Sequence, residues 1–481
     1  MSFRNLSLPY DFSLCYNVLA VVVTVLIIVD YLYRLTSFTI RKCVAIVHFE
    51  WEINMFGIIL GLVILMILAF RGWSILWAAP VAAMIVAMVN GIDLMSAYTV
   101  SYMDGLVGFV RNWLPVFMLG AIFGKLMEST GMARSIAIKL SGLIGKERAL
   151  LAIVTSCAAL TYGGISLFVV VFAVYPISLN LFREANISTR LIPAAIALGS
   201  FTFTMTALPG SPQIQNLIPI YHFDTTAMAA PVMGIIAALI MAVFGYLYLV
   251  YRQKQLTAVG EVFSEPKNLQ ISHETEKLPN FWLSALPLFI VIFAFNVLSF
   301  HIITALVVAN LLILVLNYPR YREFTNAINA GATASLIAIM NTSAAVGFGA
   351  VVQSTPVFLD LADALSRIPG TPLVSVAITV NLLAGATGSA SGGLGIALTA
   401  LGEQYYALAL QEGISPEAFH RVASIASGGL DMLPHNGAVL TLFAVTGMTH
   451  KESYKDVALA TIAIPIIALT IVVALATVGI Y

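Results

Sequence analysis

Apolar runs long enough to cross a lipid bilayer recur from one end of this sequence to the other. A hydrocarbon core about 30 Å thick is crossed by a helix of about 20 apolar residues. Only 10% of the 481 residues are charged, whereas a soluble domain has about 25%. The sequence therefore predicts an all-α polytopic membrane protein, with apolar segments at 56–70, 73–89, 114–126, 228–250, 281–300, 302–316 and 457–480.

Charge and composition argue against several other classes of protein. The 23 basic and 23 acidic residues give no net charge, so we expect no nucleic-acid partner. The sequence contains no glycine-rich phosphate loop, which argues against ATP-driven transport. Cys15, Cys43 and Cys157 have neither disulfide-like nor metal-like spacing. We therefore expect no cofactor, no metal site and no enzyme activity.

The first 54 residues differ from the rest and form an N-terminal extension in this interpretation. The extension holds one short apolar run, 18–29, with basic residues on both sides. This run is consistent with a signal-anchor helix, and equally with sequence that precedes a start at Met55. We assign it no function.

The chain also repeats itself at a constant offset of 225 residues. Apolar residues coincide by chance in such a sequence, but glycine, serine, threonine and proline do so much less often. We therefore predict a duplication, with repeat 1 at 55–251, a polar linker at 252–280 and repeat 2 at 281–481. The matches include Phe123-Gly124 with Phe348-Gly349, Ser129-Thr130 with Ser354-Thr355, Leu140-Ser141 with Leu365-Ser366, Gly145 with Gly370, Gly163 with Gly388, Ser166 with Ser391, and Leu208-Pro209 with Leu433-Pro434.

Each predicted repeat contains two helix interruptions that correspond. Duplicated halves are typical of secondary carriers, which bind their substrates near the membrane midplane where helices are interrupted. The first interruption is at 161–166 and is matched by 387–393. Adjacent glycines inside a membrane segment favour a tight reversal, so we predict a re-entrant hairpin in each repeat. Helix packing through small residues is the alternative.

The second interruption centres on Pro209 in repeat 1 and Pro434 in repeat 2. A proline removes a backbone donor and leaves a carbonyl group without its helical partner. Polar side chains surround both prolines, and such groups are costly in contact with lipid. We therefore predict that the interruptions bind a small organic acid anion. The predicted substrate-binding residues are Gly163, Gly164, Ser166, Thr206, Pro209, Gly210, Ser211, Gln213, Thr387, Ser389, Ser391, Gly392 and Asn436.

Few ionisable residues lie near these interruptions. Asp431 and His435 are four residues apart and share a face if the helix continues between them. Since an intramembrane ionisable residue is a candidate for proton transfer, we predict that one or both carry a coupling proton. A structural pair that bonds across the interruption is the alternative. Other charges are interpreted as loop residues, namely Arg183, Arg190, Glu412, Glu417 and Arg421.

Three further functions stay open at this point. A sodium-coupled carrier for citrate-like anions is the nearest, because carbonyl groups freed at an interruption can coordinate Na⁺. An ion channel would need a continuous polar stripe along its helices, and polar residues concentrate only at the interruptions. An intramembrane hydrolase would need a nucleophile beside a base, for which Ser427 with Asp431 and His435 is the candidate group.

Several of these features together resemble the gluconate permease family of the ion-transporter superfamily. The resemblance implies a proton-linked symporter for sugar acids or small hydroxy acids in the bacterial inner membrane. It also implies inverted repeats, paired re-entrant hairpins, a homodimer and elevator-type movement. The features are the Tyr162-Gly163-Gly164 hairpin, the Pro209 and Pro434 interruptions, the Gly388-Ser389-Ala390 turn and the start at 55–89.

The sequence departs from the family's gluconate carriers at two places. Those carriers have an acidic residue after the hairpin tyrosine and a histidine in the first broken helix, where this chain has Gly163 and the 208–209 region. Each buried hydroxyl left unpaired costs about 1–3 kcal/mol. Fewer polar groups therefore favour a smaller and less hydroxylated anion, such as 3-hydroxybutyrate.

Overall fold

A computed structural model of the protein describes residues 45–265, 278–356, 358 and 371–481. The chain divides into two compact units, Met1–Met55 and Phe56–Tyr481. The apolar run at 18–29 lies outside the described residues, as do 266–277 of the predicted linker. The repeat positions Leu365, Ser366 and Gly370 lie outside them as well.

The described part of the chain before the linker folds into helices joined by short turns. A π-helical turn, Phe203–Ala207, follows α7. The helices are α1 (Ala45–Phe70), α2 (Ile75–Val89), α3 (Leu94–Ser129), α4 (Met132–Ile144), α5 (Ala149–Tyr162), α6 (Leu167–Glu184), α7 (Ile192–Ser200), α8 (Ile214–Phe223) and α9 (Pro231–Ala258).

The described part after the linker follows the same order. At the 225-residue offset, α7, the π-helical turn and α8 fall on α15, a 3₁₀ turn at Leu430–Met432, and α16. The helices are α10 (Phe281–Asn296), α11 (Ile302–Leu316), α12 (Tyr321–Gln353), α13 (Pro372–Thr387), α14 (Ala390–Gln411), α15 (Pro416–Ala426), α16 (Gly437–Thr446) and α17 (His450–Thr477).

Six helical stretches of the described chain are long and apolar enough to cross a membrane. Throughout the described ranges the regular structure is helical, which confirms the predicted all-α polytopic membrane fold. The predicted segment at 114–126 is part of a much longer helix. The six stretches are Leu94–Ser129, Leu167–Glu184, Thr189–Ala207, Pro231–Ala258, Tyr318–Gln353 and His450–Thr477.

The predicted linker begins later than its polar composition indicated. Helix α9 continues to Ala258, because Arg252 is held there by Asp456 of α17 at 2.8 Å. The Asp456 carboxylate is fully buried and also accepts a hydrogen bond from the Tyr248 hydroxyl at 2.7 Å. Arg190, interpreted as a loop charge, lies 3.6 Å from the same carboxylate. These charges therefore join α9, α17 and the start of α7 rather than facing only solvent.

Helices α3 and α12 pack along each other at unusually short range. A Cβ atom at Gly331 would lie 2.7 Å from the Cα atom of Ile122. One at Gly347 would lie 2.8 Å from the Tyr102 carbonyl oxygen. Small residues allow helix backbones to approach closely in membranes, where van der Waals packing drives association. This pair of long helices also packs against α2 and α14.

Helix α7 lies in the interior of the protein. All nine of its residues are buried, whereas most of the apolar stretch in α3 is left uncovered by the protein. Non-helical backbone at membrane depth is tolerated only where protein or water surrounds it. The burial of α7 therefore places the chain that follows it inside the protein.

Candidate functional site

The helix interruption at Pro209 is present in the structure, and we call residues 201–213 the first break. The chain makes the π-helical turn, becomes extended at Leu208 and returns to a helix at Ile214. Gly210 has a φ of +75°, in the left-handed region that favours glycine. A Cβ atom there would also lie 2.9 Å from the Met228 sulfur. Both the backbone conformation and the surroundings therefore require glycine at 210.

Side chains from four helices satisfy the carbonyl groups of the first break. Buried carbonyls must be paired, and here the helix no longer provides their partners. The donors come from α5, α8, α10 and α15, and the break itself adds one. Tyr162 Oη donates to Pro209 O (3.0 Å), Ser211 Oγ to Thr204 O (3.0 Å), Asn216 Nδ2 to Ser211 O (2.9 Å), Asn296 Nδ2 to Gly210 O (2.9 Å), and Ser424 Oγ to Thr206 O (2.7 Å).

Arg421 of α15 is a central contact of the first break, and its interpretation as a loop charge was wrong. Its side chain is fully buried. Nε and Nη2 donate to the Ala229 carbonyl at 3.0 and 2.7 Å, and Nη2 also donates to Ala227 O at 3.2 Å. Nη1 donates to Ala207 O at 3.3 Å and to Asn216 Oδ1 at 3.0 Å. The guanidinium group thus holds together the two ends of the break and the segment before α9.

The duplication itself contains the signal that would have located Arg421. The residue 225 positions earlier is Ile196, in the middle of α7, where every residue is buried. The neighbouring Glu412 and Glu417 suggested a polar loop instead. Asn216 and Ser424 were also missed as contacts of the break, since single polar residues in helices are common.

The turn of the first hairpin, between α5 and α6, packs against the first break. Gln213 Nε2 donates to Thr161 O at 2.7 Å. A Cβ atom at Gly164 would lie 3.3 Å from a side-chain atom of Pro212. Gly163 instead faces Leu288 of α10, within 3 Å of any added Cβ. Of the predicted residues here, Gly164 and Gln213 therefore meet, while Gly163 serves helix packing.

Ser166 stands at the N-terminus of α6 and makes no side-chain cap there. The structure gives no contact that joins it to the first break. Its predicted role in binding substrate stays a prediction.

The contact between hairpin and break gives a direct prediction for Tyr162. Changing Tyr162 to Phe removes the donor to Pro209 O and should destabilise the protein by about 1 kcal/mol, the usual net value of a hydrogen bond. Thermal unfolding in detergent measures this loss. The matched control is Tyr221→Phe, because Tyr221 is 73% exposed and should tolerate the change. Equal stability of both variants would argue against the hydrogen bond.

The second interruption, at residues 427–436, is called the second break. Asp431 lies in the 3₁₀ turn, 2% exposed, and its Oδ1 atom has no hydrogen-bond partner among the described residues. Asn436 Nδ2 donates to the Asp431 carbonyl at 2.8 Å. The helix does not continue from Asp431 to His435, so the two do not share a helical face. That conditional expectation was wrong, because the chain turns at Pro434.

The turn of the second hairpin, between α13 and α14, packs against the second break. A Cβ atom at Gly388 would lie 2.7 Å from the His435 ring. Thr387 Oγ1 donates to the Leu383 carbonyl at 2.9 Å. Ser389 Oγ accepts from Gly392 N at 3.1 Å and caps α14. The hydroxyls of Ser389 and Ser391 are 3.4 Å apart, and Thr342 Oγ1 lies 3.2 Å from Ser391 Oγ.

The two breaks also touch each other. A Cβ atom at Gly428, in the second break, would lie 2.6 Å from the Thr206 side chain in the first. Helix α15, which ends at the second break, carries Arg421 and Ser424 to the first. The structure therefore brings both hairpin turns and both breaks into one connected cluster, although the described contacts of each hairpin turn are with the break of its own half.

Three comparisons with known proteins relate this chain to transporters. Residues 52–302 match the family described as GntP family permease. An uncharacterised transporter of Bacillus subtilis (strain 168), YxjC, is 42% identical, over 83% of this chain and 94% of its own length. An uncharacterised transporter of Haemophilus influenzae (strain ATCC 51907 / DSM 11121 / KW20 / Rd) is 28% identical, over 38% and 41% respectively.

A solved structure supports the fold. The YdaH transporter of Alcanivorax borkumensis, described as having an unusual topology, aligns with a TM-score of 0.50 at 15% identity. The alignment covers 79% of this chain and 88% of that one. The family match confirms the resemblance to gluconate permeases, while the 3-hydroxybutyrate branch stays a prediction. This chain belongs to the GntP family of permeases.

Proposed function

We propose that this permease is a proton-coupled symporter for a small hydroxy acid anion, such as 3-hydroxybutyrate or gluconate. In this proposal it acts as a homodimer in the inner membrane of a bacterium. The observation that carries the proposal is the pair of helix breaks, each packed against a hairpin turn and both in contact, in a chain of the GntP family. Such interruptions free backbone groups to bind ions near the membrane midplane.

The surroundings of the breaks favour a small polar solute. Both are lined by buried hydroxyl and amide groups, among them Thr206, Ser211 and Asn436. A polar lining of this kind supplies hydrogen bonds to a carboxylate and a hydroxyl but little apolar surface. The predicted substrate-binding residues of both halves accordingly remain part of the proposal.

Asp431 is proposed as the residue that takes up the coupling proton. Its carboxyl group is buried beside the second break with one oxygen unpaired. A buried carboxylate without a partner is costly, whereas the neutral acid is much less so. The carboxyl group can therefore change protonation when substrate and solvent access change. His435, in contact with the hairpin turn, is the second candidate for this role.

Transport is proposed in preference to catalysis. The hydroxyl group of Ser427 donates to the Ser424 carbonyl at 2.7 Å. A nucleophile would instead direct that proton to a base. This hydrogen bond supports a structural role for Ser427, and its change to Ala should leave transport largely intact.

Uptake into proteoliposomes tests the proposed function. Labelled 3-hydroxybutyrate or gluconate should accumulate when the outside is made acidic, and a protonophore should abolish the accumulation. Replacing Na⁺ by choline should have no effect. Uptake that ignores the pH gradient but requires Na⁺ would refute proton coupling, and no uptake of either acid would refute the substrate class.

A further inference from the structure

We propose that the two breaks have different tasks, and that the carboxylate of the substrate binds at the start of α8, in the first break. This inference rests on the proposed transport function and adds a subsite to it. It follows from differences between the halves in helix capping, in unpaired buried atoms and in charge.

The first difference is in the N-terminal caps of α8 and α16. The side chain of Asn436 caps α16 by accepting from the N–H groups of Ala438 and Val439. The corresponding helix α8 begins after Gln213, whose side chain makes no such cap. Its amide group donates to Thr161 O instead. The first N–H groups of α16 are thus satisfied by the protein, and those of α8 are not.

Several backbone donors are consequently available at the first break. Within the described chain, the N–H groups of Ser211, Ile214 and Gln215 make no hydrogen bond to another residue. The carbonyl groups of the break, in contrast, are occupied by side-chain donors. The break therefore presents donors rather than acceptors, which suits a carboxylate.

Two buried side chains at the same place also have unpaired polar atoms. Thr161 is 1% exposed and Gln215 is 6% exposed. Thr161 Oγ1 and Gln215 Oε1 have no hydrogen-bond partner among the described residues. A hydroxyl group can donate to a carboxylate oxygen, and an amide oxygen can accept from a hydroxyl group. A hydroxy acid offers both groups, with the carboxylate toward Thr161 and the hydroxyl toward Gln215.

Charge distinguishes the breaks in the same direction. The buried guanidinium group of Arg421 lies at the first break and forms no ion pair with a described carboxylate. The partial positive charge at the start of α8 adds to it. The second break contains the acidic Asp431 instead. An anion is therefore favoured at the first break and a proton at the second.

Two substitutions test this subsite through the affinity for 3-hydroxybutyrate, measured by binding to the purified protein. Thr161→Val preserves shape and should weaken binding about tenfold, as expected for a hydrogen bond to a charged group. Gln215→Glu places a negative charge in the first turn of α8 and should weaken binding at least as much. The matched control is Thr446→Val, because Thr446 is 1% exposed and its hydroxyl group donates within α16.

The neutral amide 3-hydroxybutyramide separates charge from shape. Its affinity should fall much less than that of the acid when Gln215 becomes Glu, and Gln215→Leu should discriminate less between the two compounds. Wild-type affinity of both Thr161→Val and Gln215→Glu for the acid, or equal losses for acid and amide, would overturn the subsite alone. A wild-type protein that binds neither 3-hydroxybutyrate nor gluconate would overturn the proposed function as well.

Discussion

Asparagine at position 431 should abolish accumulation of 3-hydroxybutyrate driven by a pH gradient, to the level of liposomes without protein. Asp431 is buried at the second break, and Oδ1 is without a hydrogen-bond partner in the described chain. Asparagine has nearly the same shape but cannot gain or lose a proton. The variant should therefore still exchange labelled for unlabelled substrate, because exchange needs binding and movement but no net proton transfer.

The appropriate control is Asp224→Asn. Asp224 is exposed and has a φ of +48°, a conformation that asparagine adopts as readily as aspartate. This variant should accumulate substrate like the wild type. Gradient-driven accumulation by Asp431→Asn would show that the coupling proton is carried elsewhere, and the same experiment on His435→Gln would then examine the second candidate. Loss of exchange together with accumulation would assign Asp431 to substrate binding or to folding.

Much of the architecture followed from the sequence because it depends on local chemistry. Helices end where glycine or proline makes them end, and the breaks at Pro209 and Pro434 occur where these residues predicted them. Apolar runs predicted membrane-crossing helices for the same reason. The offset of 225 residues was informative because repeated turn residues rarely coincide by chance.

The composition of the site depended on contacts between distant parts of the chain, which local chemistry does not reveal. Asn296 contacts Gly210, and Arg421 contacts Ala207, across 86 and 214 residues of sequence. Position 421 was misread because charged residues nearby are exposed, although the repeat places it opposite buried Ile196. Burial within an apolar helix depends on which neighbours cover it, and composition alone does not decide that.

The same limit explains the partial agreement at the hairpins. Two adjacent glycines, Gly163 and Gly164, predicted a turn, and both stand where α5 ends. Their individual roles differ, since Gly163 accommodates Leu288 and Gly164 adjoins the first break. A glycine is required wherever space is short, whether the neighbour is a helix or a binding site. Which of the two applies can be determined only from the packing.

Changing Arg421 to Met should destabilise the protein by at least about 3 kcal/mol. The guanidinium group is the donor to the carbonyl groups of Ala207 and Ala229, and no other donor reaches them in the described chain. Each buried acceptor left unpaired costs about 1–3 kcal/mol. Methionine has a similar length and removes the charge, so the loss reflects these acceptors rather than a cavity. Thermal or denaturant unfolding in detergent measures it.

Lysine at position 421 separates charge from geometry. It retains the positive charge, but its ammonium group cannot reproduce the planar fork that reaches several carbonyl groups at once. Arg421→Lys should therefore lie between the wild type and Arg421→Met in stability. Arg148→Met is the control, because Arg148 is exposed and its loss should change stability little. If Arg421→Met unfolds with the wild-type free energy, the carbonyl groups of the first break do not depend on the guanidinium group. The break would then be held by Tyr162, Asn296 and Ser424 alone.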